Sequence, residues 1–220
     1  MIDMHSHILP NVDDGSDSVE STHKMLQMLQ SQGVTKVAAT PHFYAYKDNP
    51  TDFLRRREES LALDSWELEL MPGAEVAYFD GMSRCRELRE LAIGDTGLLL
   101  VEMPFGKWTG RMVEELIRIP MELGLVPLLA HVERYRVGSQ LPKFLAELSG
   151  QQVAMQCNTE AFLSAGSRRW ALSMVKKGYV QFLGTDTHNL TDRAPKYDAA
   201  VQVIEKKLGR EVVEKITNPI

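Results

Sequence analysis

The chain has 220 residues, of which 44% are hydrophobic and 25% charged, and a formal net charge of −5 at pH 7. This charge argues against a nucleic-acid-binding protein that relies on a broad basic face, so any anionic substrate would have to be held by local cations. The length and composition predict a single folded domain over residues 1–220.

The cysteine content and the N-terminal sequence predict a cytoplasmic protein. Only Cys85 and Cys157 occur, and they form neither a paired-cysteine zinc motif nor a disulfide framework, which favours a reducing compartment. The opening Met1-Ile2-Asp3-Met4-His5 lacks the charged and apolar regions of a signal peptide. No run approaches the roughly 18 apolar residues of a membrane span.

Short apolar runs alternate with longer stretches of helical periodicity, a pattern typical of parallel strands joined by crossover helices. The predicted strands are residues 1–5, 34–40, 68–74, 98–103, 126–130, 153–157 and 180–184. The predicted helices are residues 18–32, 51–65, 81–91, 110–123, 142–148, 160–177 and 197–207.

Particular residues refine three of these helices. Arg55-Arg56-Arg57, followed at once by Glu58-Glu59, predicts a solvated helix face, with a phosphoprotein contact as the alternative. Pro120 is expected to kink or end the fourth helix near Ile119, and Gly166 to divide the sixth.

Strict strand–helix alternation allows either an open doubly wound sheet or a barrel. The first strand is not followed by G-x-G-x-x-G, and Gly106-Lys107-Trp108 is not a phosphate loop because neither Ser nor Thr follows the lysine. Metal-binding residue types follow six of the seven apolar runs, and only a barrel brings so many strand ends to one rim. The sequence therefore favours a β/α barrel.

The residues at these strand ends form a set of candidate metal ligands. Each alone is a weak signal, but several buried histidines and carboxylates at one rim would carry large desolvation costs unless they were paired or bound to metal. His23 lies within the first predicted helix and is expected to be a surface or packing histidine. The candidate ligands are His5, His7, Asp14, His42, Glu75, Glu102, His131, Asp186 and His188.

The size and chemistry of this set predict a centre with two or three ions. One catalytic zinc takes only three or four ligands from protein, so nine imply ions bridged by carboxylates, and Glu75 is a good candidate bridge. A set of nitrogen and oxygen donors without thiolate suits Mn²⁺, Fe or Zn²⁺.

Two arginines next to the ligands indicate a phosphorylated substrate. Arg134 follows His131 by three residues and Arg193 follows His188 by five, and guanidinium groups bind phosphate oxygens through paired hydrogen bonds. A surface or supporting salt bridge is the alternative for each. Neighbouring divalent ions would supply a hydroxide and positive charge for phosphoester cleavage, so the predicted activity is that of a metal-dependent phosphohydrolase.

The whole chain resembles the PHP (polymerase and histidinol phosphatase) superfamily, and within it the bacterial manganese-dependent protein-tyrosine phosphatases of capsule and exopolysaccharide systems, the CpsB/YwqE type. The motifs that carry the resemblance are Ile2-Asp3-Met4-His5-Ser6-His7 with Asp13-Asp14-Gly15, Thr40-Pro41-His42, Gly73-Ala74-Glu75, Val101-Glu102, Ala130-His131-Val132-Glu133-Arg134-Tyr135 and Asp186-Thr187-His188-Asn189.

The resemblance implies a distorted, TIM-like (β/α)7 barrel of the PHP type. It also implies a three-metal centre on the nine ligands, most favourably with Mn²⁺, and a phosphate held by Arg134 and Arg193. The implied substrate is phosphotyrosine on an autophosphorylating bacterial tyrosine kinase that controls polysaccharide export. The sequence does not indicate an oligomeric state.

The expected reaction is in-line attack on phosphorus by a metal-bound hydroxide. The cysteine phosphatase mechanism is excluded, because its C-x₅-R motif requires arginine where Leu91 and Leu163 stand. Phe43, Tyr44 and Tyr46 either line the entrance for a phenyl ring or pack within their loop. The rival functions are a phosphatase for histidinol phosphate or another small molecule, a nucleic-acid phosphoesterase, and a metal-stabilised binding module without turnover.

Overall fold

The computed structural model describes residues 1–136 and 141–220 of the chain. The strands among them are β1 (Ile2–Ser6), β2 (Lys36–Ala39), β3 (His42–Phe43), β4 (Glu69–Pro72), β5 (Glu75–Ala77), β6 (Leu98–Glu102), β7 (Val126–Leu129), β8 (Ala154–Asn158) and β9 (Phe182–Gly184). The α-helices are α1 (Val19–Ser31), α2 (Pro50–Leu61), α3 (Gly110–Leu123), α4 (Leu141–Ser149), α5 (Glu160–Leu163), α6 (Arg168–Lys176), α7 (Tyr197–Leu208) and α8 (Arg210–Thr217).

The strands form a curled, wholly parallel sheet. One part has the order β1-β2-β4 and the other the order β3-β5-β6-β7-β8-β9, and every pairing between the described strands is parallel. The segment after β9 returns to β1, where the N–H of His7 donates to Thr187 O at 2.9 Å and that of Asp186 donates to His5 O at 2.8 Å.

All seven predicted strands are present, but two of them continue past a break. The predicted strand at 34–40 contains β2, and β3 follows it after a break. The predicted strand at 68–74 contains β4, and β5 follows it after a break. Pro41 and Gly73 lie at the breaks, where proline has no N–H to donate to a neighbouring strand. The breaks bring His42 and Glu75 side by side in the register of β3 and β5.

Alternation along the strands divides the core into two clusters. In β6, Leu98 and Leu100 belong to a smaller cluster within the curled sheet, whereas Leu99 and Val101 belong to the larger cluster shared with the helices. Because successive strand side chains point to opposite faces, the next inward position on β6 is Glu102 at the carboxyl end. Strand periodicity therefore directs this carboxylate to the rim.

The helix predictions are confirmed in part. α1 begins after Ser18, whose side chain accepts a hydrogen bond from Ser21 N, and α3 spans the predicted residues. The interruption near Gly166 is confirmed, since α5 ends at Leu163 and α6 begins at Arg168. The sequence did not predict α8, the predicted helix at 51–65 ends at Leu61, and residues 81–91 form two 3₁₀ turns instead of an α-helix.

Two further expectations about the helices are met only in part. α3 does not end near Ile119 but runs through Pro120 to Leu123, because its buried stripe continues on both sides of the proline with Ile119 and Leu123. The run at 55–57 is not uniformly solvated, because Arg57 is 6% exposed and donates to the carbonyls of Gly73 and Glu90 at 3.2 and 3.1 Å. In the described residues, no helix combines the length and the apolar character needed to cross a membrane.

A close backbone approach at the carboxyl end of β9 allows a test of the packing. A Cβ atom on Gly184 would lie 2.5 Å from His5 Cβ and 2.7 Å from Gln156 Nε2, whereas one on Gly106 would meet nothing within 4 Å. We therefore expect Gly184→Ala to lower the free energy of unfolding by about 1–3 kcal/mol, as overpacked cores do. Chemical denaturation should show no comparable loss in the control Gly106→Ala, and equal stabilities would contradict the described packing.

Candidate metal centre

All nine predicted ligands converge at the carboxyl ends of the strands. Three groups have donor atoms within 4.8 Å of one another: His7, Asp14, His42 and His188; His5, His7 and Glu75; and His42, Glu75 and Glu102. His131 joins them through Nε2, which lies 2.9 Å from Glu75 and 3.3 Å from Glu102. Asp186 joins through Oδ1, 3.6 Å from His5 Nε2 and 3.4 Å from His7 Nε2.

The centre is buried on one side and open on the other. His5, His7, Glu75, His131, Asp186 and His188 are buried. The side chain of Glu102 is 17% exposed, and that of Asp14 is 69% exposed. The centre is therefore open to solvent at Asp14.

Unpaired buried atoms show that the donor set fits divalent cations. Among the described residues, His42 Nδ1, Glu75 Oε2, His131 Nδ1 and His188 Nε2 are buried without a hydrogen-bond partner. His42 Nδ1 and Glu75 Oε2 are only 2.9 Å apart, but their alignment does not meet hydrogen-bond geometry. Leaving such atoms unpaired is costly, and a cation between them would satisfy several at once.

Two ring nitrogens face each other in the same region. His5 Nε2 and His7 Nε2 are 3.0 Å apart, and each is 3.4 Å from Glu75 Oε2. Two imidazoles and one carboxylate directed at a common point are a ligand arrangement for a divalent ion.

The charges of these groups depend strongly on one another. Burial opposes ionisation of Glu75, but the charge of His5, the contact with His131 Nε2 and the nearby His42 ring hold the pKa of this carboxyl well below its usual range. Burial also opposes protonation of His131, yet Glu102 and Glu75 raise its pKa to about 9. Burial and the nearby charge of His7 lower the pKa of His188 to about 4.

Two candidate ligands have a backbone conformation that non-glycine residues rarely adopt. His131 has a φ of 33° and Asp186 has a φ of 54°. Strained backbones of this kind cost roughly 1–3 kcal/mol and cluster at functional sites. Both residues follow the end of a strand, so the strain turns each side chain away from the regular strand direction.

Asp13 supports the cluster, although the sequence analysis gave it no role. Its carboxylate accepts hydrogen bonds from His7 Nδ1 at 2.6 Å, His42 N at 2.9 Å and Gly15 N at 2.9 Å. A Cβ at Gly15 would lie 2.1 Å from His7 O, so only glycine fits there. The Asp13-Asp14-Gly15 motif could have indicated a role for Asp13, but only the fold shows that His7 is its partner.

β8 is the strand whose end provides no predicted ligand, and it carries two supporting amides. Gln156 Oε1 lies 3.2 Å from His5 Nδ1 and accepts from His131 N at 2.7 Å. Asn158 Nδ2 donates to Asp186 Oδ2 at 3.0 Å. Both amides are buried. Two polar residues at alternate positions of an otherwise apolar strand were the sequence pattern that could have identified them.

The two predicted phosphate-binding arginines lie together beside the centre. Arg134 Nη2 and Arg193 Nη2 both donate to the carboxylate of Asp186, the latter at 2.8 Å. Their side chains are 38% and 35% exposed. A guanidinium has five N–H donors, so a bond to Asp186 leaves others for a ligand.

The aromatic residues near His42 have different environments. Phe43 is buried against Phe53 and therefore packs within the fold. Tyr44 stacks on His42 with ring centroids 5.3 Å apart, and Tyr46 is 86% exposed.

Two other aromatic residues, Phe105 and His23, differ in their relation to the cluster. Phe105, which the sequence analysis did not single out, stacks on His131 at 5.8 Å. His23 is outside the cluster as expected, paired with Glu67 at 2.8 Å and packed on Trp66.

Comparison with known proteins places the chain in a family. The family model for capsular polysaccharide synthesis, CpsB/CapC, matches residues 1–219. The chain belongs to the CpsB/CapC family. The tyrosine-protein phosphatase YwqE of Bacillus subtilis is 29% identical over 229 residues, covering 99% of this chain and 89% of YwqE.

Other relatives of this CpsB/CapC family member agree. The tyrosine-protein phosphatase CpsB of Streptococcus pneumoniae is 28% identical, covering 98% of this chain and 94% of CpsB. A crystal structure from work on YwqE and CpsB, described as metal-dependent tyrosine phosphatases, superimposes with a TM-score of 0.84 at 26% identity. It covers 99% of this chain and 92% of the other.

The contacts of Asp13 predict a supporting role that can be measured without turnover. Removing its charge with Asp13→Asn weakens the hold on His7 Nδ1, and loss of such a partner lowers metal affinity by about 10- to 100-fold. Calorimetric titration with Mn²⁺ measures this, with Asp95→Asn, an exposed loop position, as the control. Equal affinities for the two variants would contradict the role.

Metal binding should depend on pH. The pKa of His131 is raised to about 9, and those of His7 and His42 are also raised, so these imidazoles keep their protons to higher pH than usual and must lose them to become ligands. Mn²⁺ affinity should therefore rise as the pH increases from 6 to 9, by roughly tenfold per unit for each proton displaced. Calorimetry in buffers of different ionisation enthalpy should detect proton release, and affinity independent of pH would argue against these protonation states.

Proposed function

We propose that this protein is a metal-dependent protein-tyrosine phosphatase that acts on phosphotyrosine of a bacterial tyrosine kinase and so regulates capsule or exopolysaccharide synthesis. The observation that carries the proposal is the convergence of nine nitrogen and oxygen donors, several of them buried and unpaired, beside two arginines. The names of its relatives, tyrosine-protein phosphatases, support the substrate class. We also propose that it acts in the cytoplasm as one domain.

The proposed fold is a distorted, TIM-like (β/α)7 barrel of the PHP type. Support comes from the parallel bridge between Ser6 and Thr187 and from the carboxylate of Asp3, which accepts from Thr185 N at 2.8 Å. These bonds connect β1 to the segment after β9. If β2 with β3 and β4 with β5 each count as one interrupted strand, the barrel has seven.

The nine donors are proposed to hold two or three divalent ions, with Mn²⁺ as the favoured metal and Fe or Zn²⁺ as alternatives. Glu75 is placed to bridge, because its two oxygens face different histidines: Oε1 lies 2.9 Å from His131 and Oε2 lies 2.9 Å from His42. Bound ions would supply positive charge for the phosphoryl oxygens and lower the pKa of water at the site.

The protein's own groups would bind and orient the phosphate. Arg134 and Arg193 both contact Asp186, one of the proposed ligands, and their remaining donors suit the non-bridging oxygens. Tyrosinate is a stable leaving group because the pKa of its phenol is about 10. It therefore requires less acid assistance than an aliphatic alkoxide would, and we assign no dedicated acid.

Chelation and metal restoration test the function. The chelated protein should be inactive on phosphotyrosine peptides, and Mn²⁺ should restore turnover. A phosphatase for small molecules would instead cleave histidinol phosphate faster than any phosphotyrosine peptide. A binding module would gain thermal stability from Mn²⁺ without activity, and turnover that survives complete metal removal would contradict the mechanism.

The arginine pair provides a second test. Arg134→Ala should lower kcat/KM for phosphotyrosine peptides by about 100-fold, the scale of losing one charged donor to the transition state. Arg169→Ala is the matched control, because Arg169 is exposed on α6 and outside the centre. Steady-state kinetics of both purified variants would decide, and a similar small effect in both would remove Arg134 from phosphate binding.

A further inference from the structure

A cavity of about 440 Å³ opens beside the centre and is not used by the proposed phosphate contacts. Its lining includes the proposed ligands Asp14 and His42, together with Tyr44, Lys47 and Arg56. Its volume lies within the range of small-molecule pockets, about 300–1,000 Å³. The cavity and the candidate metal centre are therefore continuous through two proposed ligands.

The space on the arginine side is much smaller. The pocket that contains Arg134, Asp186 and Arg193 has a volume of about 20 Å³, which is close to the room that one water molecule needs. A phosphate bound by these arginines has no space there for an aromatic ester group. The larger cavity, which is lined by the proposed ligands Asp14 and His42, has room for such a group.

Hydrogen bonds fix the walls of the larger cavity. Asp48 accepts from Tyr44 N at 2.9 Å and from Arg56 Nη2 at 3.0 Å. The Tyr44 ring lies nearly parallel to the imidazole of His42, with an angle of 26° between the two planes. One flat aromatic wall is thus held next to a proposed ligand.

The charge of the cavity is concentrated on Lys47. Arg56 is paired with Asp48, Asp13 is bound to His7, and Asp14 is a proposed metal ligand. Lys47 forms no ion pair within the described part of the chain, and its Nζ lies 5.9 Å from the centroid of the Tyr44 ring. A cation without a partner beside an aromatic wall suits an aromatic group that has a carboxylate next to it.

We propose that this cavity is the subsite for the phenyl ring of the substrate's phosphotyrosine and for an acidic side chain next to it in sequence. Tyr44 packs against the ring and Lys47 faces the carboxylate. The inference rests on the proposed phosphatase function and adds a preference for acidic sequences around the phosphotyrosine. It also gives Arg55-Arg56-Arg57 a partial role in the substrate site, since Arg56 lines the cavity and holds Asp48.

The test of Lys47 compares two peptides that differ only in having Glu or Gln next to phosphotyrosine. With Mn²⁺ bound, kcat/KM should be roughly fivefold higher for the Glu peptide, the scale of an exposed ion pair. Lys47→Glu should abolish or invert this ratio. Lys206→Glu, an equal charge reversal on an exposed position of α7, should keep the wild-type ratio.

The test of Tyr44 compares phenyl phosphate with an alkyl phosphate. Tyr44→Ala should reduce the ratio of their kcat/KM values by roughly fivefold, the scale of one aromatic contact, and mainly through KM for the aryl substrate. Tyr44→Phe keeps the ring and should retain the ratio. If Tyr44 had only a structural role, Tyr44→Ala would lower kcat/KM equally for both substrates. The ratio would then be unchanged in both variants.

The outcomes separate this inference from the proposed function. The protein could turn over phenyl phosphate but show no preference for the Glu peptide, with neither the peptide ratio nor the aryl-to-alkyl ratio changed in the Lys47 and Tyr44 variants. That result overturns the subsite and leaves the phosphatase function intact. Absence of turnover on every substrate overturns the phosphatase function. The subsite is then decided by fluorescence anisotropy, in which the Mn²⁺-loaded protein should bind the Glu peptide more tightly and Lys47→Glu should remove the difference.

Discussion

The carboxylate of Glu75 lies at the centre of the donor cluster, and the arrangement around it follows from its burial. It is 1% exposed, and an ionised carboxylate in that position requires compensation by several partners. His131 and His42 approach its two oxygens, and His5 and His7 lie slightly farther away. Four strand ends must therefore meet at one point, which is possible because the parallel sheet curls.

The cluster also depends on residues outside the set of nine donors. Asp13, Gln156 and Asn158 orient the rings and carboxylates, and Gly15 and Gly184 allow the backbone to approach them closely. These side chains fix the direction of each donor atom, which determines the geometry that a bound ion would meet. The strained backbones of His131 and Asp186 are retained because the surrounding structure holds them in place.

The two pockets beside the centre differ in size in a way that suits hydrolysis of a bulky ester. Arg134 and Arg193 line a narrow space, whereas Tyr44 and Lys47 border a larger one. A phosphate and the aromatic group of its ester would then occupy spaces of different size. Asp14 is the most exposed of the proposed ligands, so the centre is open to solvent at this residue.

The sequence by itself determined where the strands and most helices lie along the chain, because apolar periodicity follows from which faces must be buried. It also determined the set of nine donors, since histidines and carboxylates at successive strand ends have few structural explanations other than a shared site. It did not reveal that Arg57 is buried or that residues 81–91 form 3₁₀ turns. In each case packing against distant elements outweighed the local preference.

Only the tertiary structure decided which residues support the donors and where a substrate has room. Asp13 and His7, or Gln156 and His5, are partners through folding, and the latter pair is separated by 151 positions. Cavity shape likewise depends on how several loops pack. The sequence alone does not distinguish Lys47 and Arg56 from ordinary surface charges, because the positions of Asp48 and Tyr44 beside them follow from the fold. Local patterns encode residue type and burial, whereas the distances between donors and the space around them arise from the whole fold.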